Sequence, residues 1–258
     1  MRKSWRKNIR TGHKKRPKER GNRYIMSGNG IPGETGTGRE AVRRNTEKQG
    51  FCLIISGGEY CPVPEDLRCA DYVIACDKGY EYAKRMGIVP DRIIGDFDSA
   101  PLPDTQIPVD RAPTHKDDTD TMLGMRHALE MGYRDIVICC AFGGRMDHAF
   151  ANIQTGTWAA VHGGTARILG NGTDALIFAG RSVEIPRREG WSLSVFSLSD
   201  QCSGVTITGT KYECADTDFY NTFCLGVSNV WASDTAVVQI KEGIAMVMLS
   251  KLKAGEHI

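Results

Sequence analysis

The side chains best suited to chemistry in this sequence are acidic and come in short strings. In Gly95-Asp96-Phe97-Asp98-Ser99, extended backbone points residues two apart the same way, so Asp96 and Asp98 share a face while Phe97 turns to the other. Two carboxylates on one face offer hard oxygen donors to a divalent cation that bridges phosphate oxygens. The same pair also serves as a turn after a strand. Lys116-Asp117-Asp118-Thr119-Asp120 places three carboxylates and a lysine just ahead of an amphipathic helix. Capping the helix needs only one of those aspartates. A metal–phosphate complex uses the string more fully, with Lys116 donating to phosphate and Asp117 or Asp120 facing the cation. In Gly143-Gly144-Arg145-Met146-Asp147-His148, the glycines let a phosphate approach the backbone and Arg145 forks onto its oxygens. There Asp147 is equally a helix cap and His148 equally an ordinary helix residue. Asp77, in Ala75-Cys76-Asp77-Lys78-Gly79, is a fourth candidate.

These strings need elements to position them. Short apolar runs at Phe51–Ile55, Tyr72–Ala75, around Ile93-Ile94, at Ile136–Ala141 and at Ala166–Leu169 read as strands. Helix-like stretches lie between them at about 79–87, 119–131 and 148–161; in the second, Met122, Met125 and Leu129 form one apolar stripe. Apolar strands alternating with amphipathic helices predict a doubly wound parallel sheet. All four charged strings then follow carboxyl ends of strands, where open α/β sheets bind ligands. Their conjunction points to a magnesium–nucleotide site.

From about residue 172 the rhythm changes. Ser192–Leu198, Val205–Thr208, Ala236–Ile240 and Ile244–Leu249 are short apolar runs separated by glycine or polar turns. They predict a small antiparallel β-sandwich after the α/β part. The expected division is a basic, disordered extension over 1–50, an α/β magnesium–nucleotide-binding domain over 51–171, and a β-sandwich over 172–258.

The net charge of +2 hides an asymmetry, because residues 1–50 hold 15 Lys and Arg against 4 Glu. Clustered positive charge is one route to nucleic acid, but here no folded basic surface or aromatic platform accompanies it. An upstream extension without a role, with Met26 as an alternative start, is the other reading. Gly28-x-Gly30-x-x-Gly33 matches a dinucleotide-binding string, yet basic and polar residues precede it and Pro32 interrupts the helix it needs. The nine cysteines form no C-x-x-C pair, which predicts free thiols in a reducing compartment. No run reaches the roughly 18 apolar residues of a membrane span, and no apolar run follows the basic start. The expected location is the cytoplasm.

Taken in order, the motifs resemble those of the thiamine pyrophosphokinases. The shared elements are Asp-x-Gly at 77–79, Pro-Asp-x-x-x-Gly-Asp-Phe-Asp-Ser at 90–99, Lys-Asp-x-Thr-Asp at 116–120 and Gly-x-Arg-x-Asp-His at 143–148, with Asn152 beyond. The resemblance covers about residues 51–253. It implies transfer of the diphosphate of ATP to the hydroxyl of thiamine, with Asp77, Asp96, Asp98 and Asp120 as catalytic and Mg2+-holding residues. It assigns Lys116, Asp117, Thr119, Arg145, Asp147 and His148 to ATP. Gly209-Thr210-Lys211-Tyr212 and Gly226-Val227-Ser228-Asn229 resemble the family's thiamine-contacting segments, so Tyr212, Ser228 and Asn229 are the expected substrate residues, with Tyr212 stacking on the heterocycle. A homodimer is implied as well, the nucleotide on one subunit and thiamine against the other.

The chain departs from the family pattern in its basic extension, in 169–175, which lacks an acidic residue directly after the strand, and in 213–223, which does not align. A metal-dependent hydrolase of nucleotide diphosphates would use the same carboxylates without Tyr212, Ser228 and Asn229. A nucleic-acid binder acting through the extension is the non-enzymatic alternative.

Overall fold

The computed structural model of the chain describes residues 48–97, 104–111, 118–253 and 255. Residues 1–47 of the expected 1–50 extension, with Met26 and the glycine string, therefore lie outside the described residues, as do Asp98, Ser99, Lys116 and Asp117. The first strands are β1 (Phe51–Ile55), β2 (Tyr72–Cys76), β3 (Arg92–Gly95), β4 (Val109–Arg111), β5 (Asp135–Cys139) and β6 (Thr165–Gly170). They pair in parallel in the order β4-β3-β2-β1-β5-β6.

Burial explains why β1, β2, β3 and β5 read as apolar runs, while β4 at the sheet edge is mostly exposed. Cys52, Ile54, Ile74, Cys76, Ile136 and Ile138 face α2 (Asp120–Glu130) and α3 (Met146–Val161). The alternate residues Leu53, Ile55, Val73, Val137 and Cys139 face α1 (Gly79–Met86). Helices thus cover both faces of the parallel part, as a doubly wound sheet requires.

Beyond β6 the chain turns at Asn171-Gly172, where Gly172 takes φ 76°, and pairing becomes antiparallel. Here β7 (Thr173–Ala179), β14 (Ile244–Lys251), β9 (Trp191–Ser197) and β12 (Gly226–Asn229) add to the same sheet and bring it to ten strands. The other layer is a four-stranded antiparallel sheet, in the order β11 (Cys214–Tyr220), β10 (Gln201–Thr208), β13 (Thr235–Gln239), β8 (Ser182–Pro186). The expected sandwich is therefore present, and one of its layers is the continuation of the sheet that carries the acidic motifs.

Side-chain alternation on β7 makes that sharing visible. Ala175 and Ile177 join the core under the helices, while Phe178 joins the core between the sheets. That second core contains Leu193, Val195, Val205, Ile207, Trp231, Val238, Val247 and Leu249. Where the α1 layer gives way to the second sheet, Asp174 is buried and accepts from Arg167 at 2.8 Å and Arg188 at 2.7 Å. A carboxylate so placed is tolerated because two guanidiniums neutralise and hydrogen-bond it.

Candidate active site

In the order β4-β3-β2-β1-β5-β6 the direction of winding reverses between β1 and β5. Crossovers leave β1 and β5 toward opposite sides there, opening a crevice past their carboxyl ends. Two cavities meet at that point. The narrower, about 200 Å³, is lined by Ser56, Asp77, Thr119, Asp120, Thr121 and Asn152, among others. The wider, about 550 Å³, is lined by Glu59, Tyr60, Lys78, Tyr82, Gly143, Gly144 and Arg145. Gly57, Gly58 and His148 border both.

The backbone around the crevice is strained in a consistent way. Asp77, Phe97 and Cys140 follow the carboxyl ends of β2, β3 and β5 with φ of 48°, 52° and 55°. Each left-handed non-glycine residue costs about 1–2 kcal/mol. At Asp77 the turn is held by its own N–H, which donates to the Ile94 carbonyl at 2.9 Å. Two residues on, a Cβ on Gly79 would lie 1.9 Å from the Ile55 carbonyl oxygen. The Asp-x-Gly spacing thus has a local cause: only glycine lets α1 start this close to β1.

Asp120 opens α2. Thr119 is its N-cap, and its hydroxyl accepts from the Met122 N–H at 3.2 Å. The buried Ser56 and Thr121 hydroxyls share a 2.8 Å hydrogen bond that ties the end of β1 to the first turn of α2. This fixes Asp120 relative to Asp77 across the narrower cavity. Asp96 stands directly after β3 and is half-buried. Among the described residues no three His, Cys, Asp or Glu converge into a metal cage; two of the expected carboxylates, Asp98 and Asp117, lie outside them.

On the β5 side, Arg145 and Asp147 are both exposed and pair with each other, Arg145 Nε to Asp147 Oδ1 at 3.1 Å and Nη2 to Oδ2 at 2.5 Å. Hydrogen bonding from Arg145 holds the Asp147 carboxyl below its ordinary range. Arg145 at the α3 N-cap position makes no side-chain cap. The cap role open to Asp147 reduces to accepting from the next N–H, that of His148, at 2.9 Å. His148 is exposed at the junction of the cavities. Asn152, one turn further, is buried and donates to the Ala141 carbonyl at 2.7 Å.

A separate cavity of about 310 Å³ lies in the second half of the chain, lined by Tyr212, Cys214, Phe219, Leu225, Val227 and Asn229, among others. Tyr212 is 60% exposed, with the Lys211 ammonium 5.3 Å from its ring centroid. Asn229 is buried and its amide is fully engaged. It donates to Thr210 Oγ1 at 3.0 Å and the Tyr212 carbonyl at 2.7 Å, and accepts from the N–H groups of Tyr212 and Val230, each at 3.0 Å. Two donors and two lone pairs are the whole capacity of that oxygen and nitrogen. Asn229 therefore holds the turn that presents Tyr212. Ser228 is exposed, with φ 59°, and its N–H donates to Ser194 Oγ at 3.1 Å.

Sequence reasoning brought Asp77, Thr119, Asp120, Arg145 and His148 to one crevice. It missed Ser56, Tyr60, Lys78, Tyr82 and Thr121. The signal for the first loop was Ser56-Gly57-Gly58, a polar glycine turn ending a strand, whose meaning depends on β1 standing next to β5.

The chain matches two family profiles: "Thiamin pyrophosphokinase, catalytic domain" over residues 64–166 and "Thiamin pyrophosphokinase, vitamin B1 binding domain" over residues 182–245. Together they span more than half of the chain. Among solved structures, it is similar to thiamine pyrophosphokinase from Bacillus subtilis, with 25% identity over 79% of this chain and 99% of that one and a TM-score of 0.69. The enzyme from Geobacillus thermodenitrificans aligns at 25% identity over 80% and 99%, with a TM-score of 0.66. That from Candida albicans, at 15% identity over 78% and 89% and a TM-score of 0.63, shows the shared fold. No curated protein sequence matches the chain.

Proposed function

The chain belongs to the thiamin pyrophosphokinase family, and from that premise we infer that it transfers the diphosphate of ATP to the hydroxyl of thiamine, giving thiamine diphosphate and AMP. The observation that carries this reading is the paired cavity at the β1/β5 reversal, where carboxylates meet glycine turns and cationic side chains. The vitamin B1 binding domain match supplies the second substrate, which neither a nucleotide hydrolase nor a nucleic-acid binder needs.

In the proposed reaction the thiamine hydroxyl oxygen forms a bond to the β-phosphorus. The bond from that phosphorus to the α,β-bridging oxygen breaks, AMP carries away the electron pair, and the hydroxyl proton is released. Such transfers ask mainly for positioning and neutralisation of charge. Lys116, Asp117, Thr119, Arg145, Asp147 and His148 are the proposed nucleotide contacts, and Asp77, Asp96, Asp98 and Asp120 the proposed catalytic carboxylates. The hard oxygen donors of Asp77 and Asp120, which face one cavity, suit Mg2+; these four aspartates would hold it, and it would offset phosphate charge. Tyr212 and Ser228 are the proposed thiamine contacts, with Asn229 supporting them.

We also propose a homodimer in the cytoplasm. Five strand steps separate β5 from β12 in the sheet, about 24 Å at the usual spacing. Within one chain the nucleotide crevice and the Tyr212 cavity are thus too far apart for direct transfer, and a second copy would bring them together. Among the described residues no helix is long and apolar enough to cross a membrane. The proposed domain boundary stays at 171/172, where parallel pairing ends, with 1–50 as an extension.

The test is a product assay with ATP, Mg2+ and thiamine that resolves AMP from ADP. Equal amounts of AMP and thiamine diphosphate, formed only with thiamine present, are expected. Nucleotide breakdown independent of thiamine would overturn the assignment.

A further inference from the structure

The catalytic strings account for the phosphate end of a nucleotide and leave its base without a seat. The carboxylates Asp77 and Asp120 line the narrower cavity, so phosphates and cation belong there. Past Gly57 and Gly58 the phosphate next to the nucleoside would meet Gly143, Gly144 and Arg145, leaving the rest of the wider cavity for the nucleoside. Apart from His148 at the junction, the aromatic side chains lining the two cavities are Tyr60 and Tyr82.

These two rings differ in what they have to spare. Tyr82 donates its hydroxyl to the Gly58 carbonyl at 2.9 Å and has the Lys78 ammonium 5.3 Å from its ring centroid. Its ring meets Tyr60 edge-on, with centroids 5.4 Å apart and planes at 68°. Tyr60 carries the Arg85 guanidinium at 3.8 Å from its ring centroid. Arg85 is not among the residues that line either cavity, whereas Tyr60 lines the wider one. Tyr60 is thus braced by Arg85 and Tyr82 while it borders that cavity.

We propose that Tyr60 is the base-stacking residue of the nucleotide site, with Arg85 and Tyr82 as positioning residues that hold its ring. The assignment rests on the nucleotide reading above and adds the base subsite to it. Rings that are held in place lose little freedom when a base stacks on them, which is why a braced ring suits this role. A π-face accepts any base, so Tyr60 gives affinity for a nucleoside and little discrimination among ATP, GTP and CTP.

The experiment is titration calorimetry on the full chain with Mg2+ and no thiamine, using ATP and inorganic tripolyphosphate as probes. Tyr60→Ala is expected to weaken ATP by about fivefold to about 150-fold and to leave tripolyphosphate within about twofold. Tyr60→Phe, which keeps the ring, should bind ATP as the unaltered chain does. Arg85→Ala should weaken ATP by a smaller factor, about two- to fivefold. ATP affinity unchanged in Tyr60→Ala would overturn the proposal, as would an equal loss for ATP and tripolyphosphate. Because binding is read without turnover, these outcomes are separate from a failed product assay.

Discussion

Asp77→Asn and Tyr212→Ala damage different halves of the proposed reaction centre, and mixing the two variants is expected to recover turnover that neither retains. The expectation follows from the sheet, in which β5 beside the proposed nucleotide crevice and β12 beside the Tyr212 cavity stand five strand steps apart, about 24 Å. Each centre of a symmetric dimer would then draw one half from each chain. Removing a charge that faces the reacting phosphates costs about 100-fold or more. Losing a desolvated cation–ring contact costs about 2 kcal/mol, near 30-fold. In an equal mixture that exchanges freely, about half the dimers are mixed, and each has one undamaged centre. Activity should therefore rise to about a quarter of the unaltered level. Without shared centres it would stay at the mean of the two variants, about 2%. The assay is AMP release after co-expression or slow subunit exchange, and activity that stays at that mean would refute the shared-centre reasoning.

Asn229→Ala removes a buried amide that holds Thr210, Tyr212 and Val230; it should cost about 2–3 kcal/mol in denaturant unfolding and raise KM for thiamine more than KM for ATP. Asp174→Ala strands Arg167 and Arg188 beside the second core. Both guanidiniums are partly exposed, so the low end of the buried-pair range applies, about 3 kcal/mol, with a Tm lower by about 6–12 °C. Burial, followed by the nearby Arg92 guanidinium, holds the His127 pKa below its ordinary 6.5 in the folded chain. The unfolded chain takes up that proton first as pH falls, so the stability present above about pH 6.5 declines below it. His127→Gln should flatten that decline in urea titrations at pH 7 and pH 5.

The parallel half was legible where β1, β2, β3 and β5 are buried on both faces and read as apolar runs bounded by glycine or aspartate; the short, mostly exposed edge strand Val109–Arg111 has no such run and was not predicted. Predicted and observed elements there agree to within one or two residues, as at Phe51–Ile55 and Gly79–Met86. The antiparallel half was legible in outline only. The strand at Thr173–Ala179 lacks a period of two because its two faces serve different cores. That at Cys214–Tyr220 is mostly exposed and polar, with register shifts against its neighbour. Nor does a strand's composition say which strand lies beside it, so the joining of the two halves into one sheet was not readable. The same limit hid Tyr60, whose role depends on a loop meeting another across the β1/β5 reversal. For Asn229 the sequence could not show that the amide is engaged by Thr210, Tyr212 and Val230, because those bonds depend on how the turn folds.

The borders of the two sheets have a consequence for how this chain meets copies of itself. The ten-stranded sheet ends on one side at Val109–Arg111, three residues long with two charged side chains, and on the other at Gly226–Asn229, broken by the left-handed Ser228. The four-stranded sheet ends at Cys214–Tyr220, kinked at the left-handed Asp216, and at Ser182–Pro186, closed by a proline. Short, charged, kinked or proline-bearing borders are poor templates for a further strand. Fourteen strands are thus carried among the described residues without one long flat border, which disfavours fibrillar growth and leaves association to side-chain surfaces.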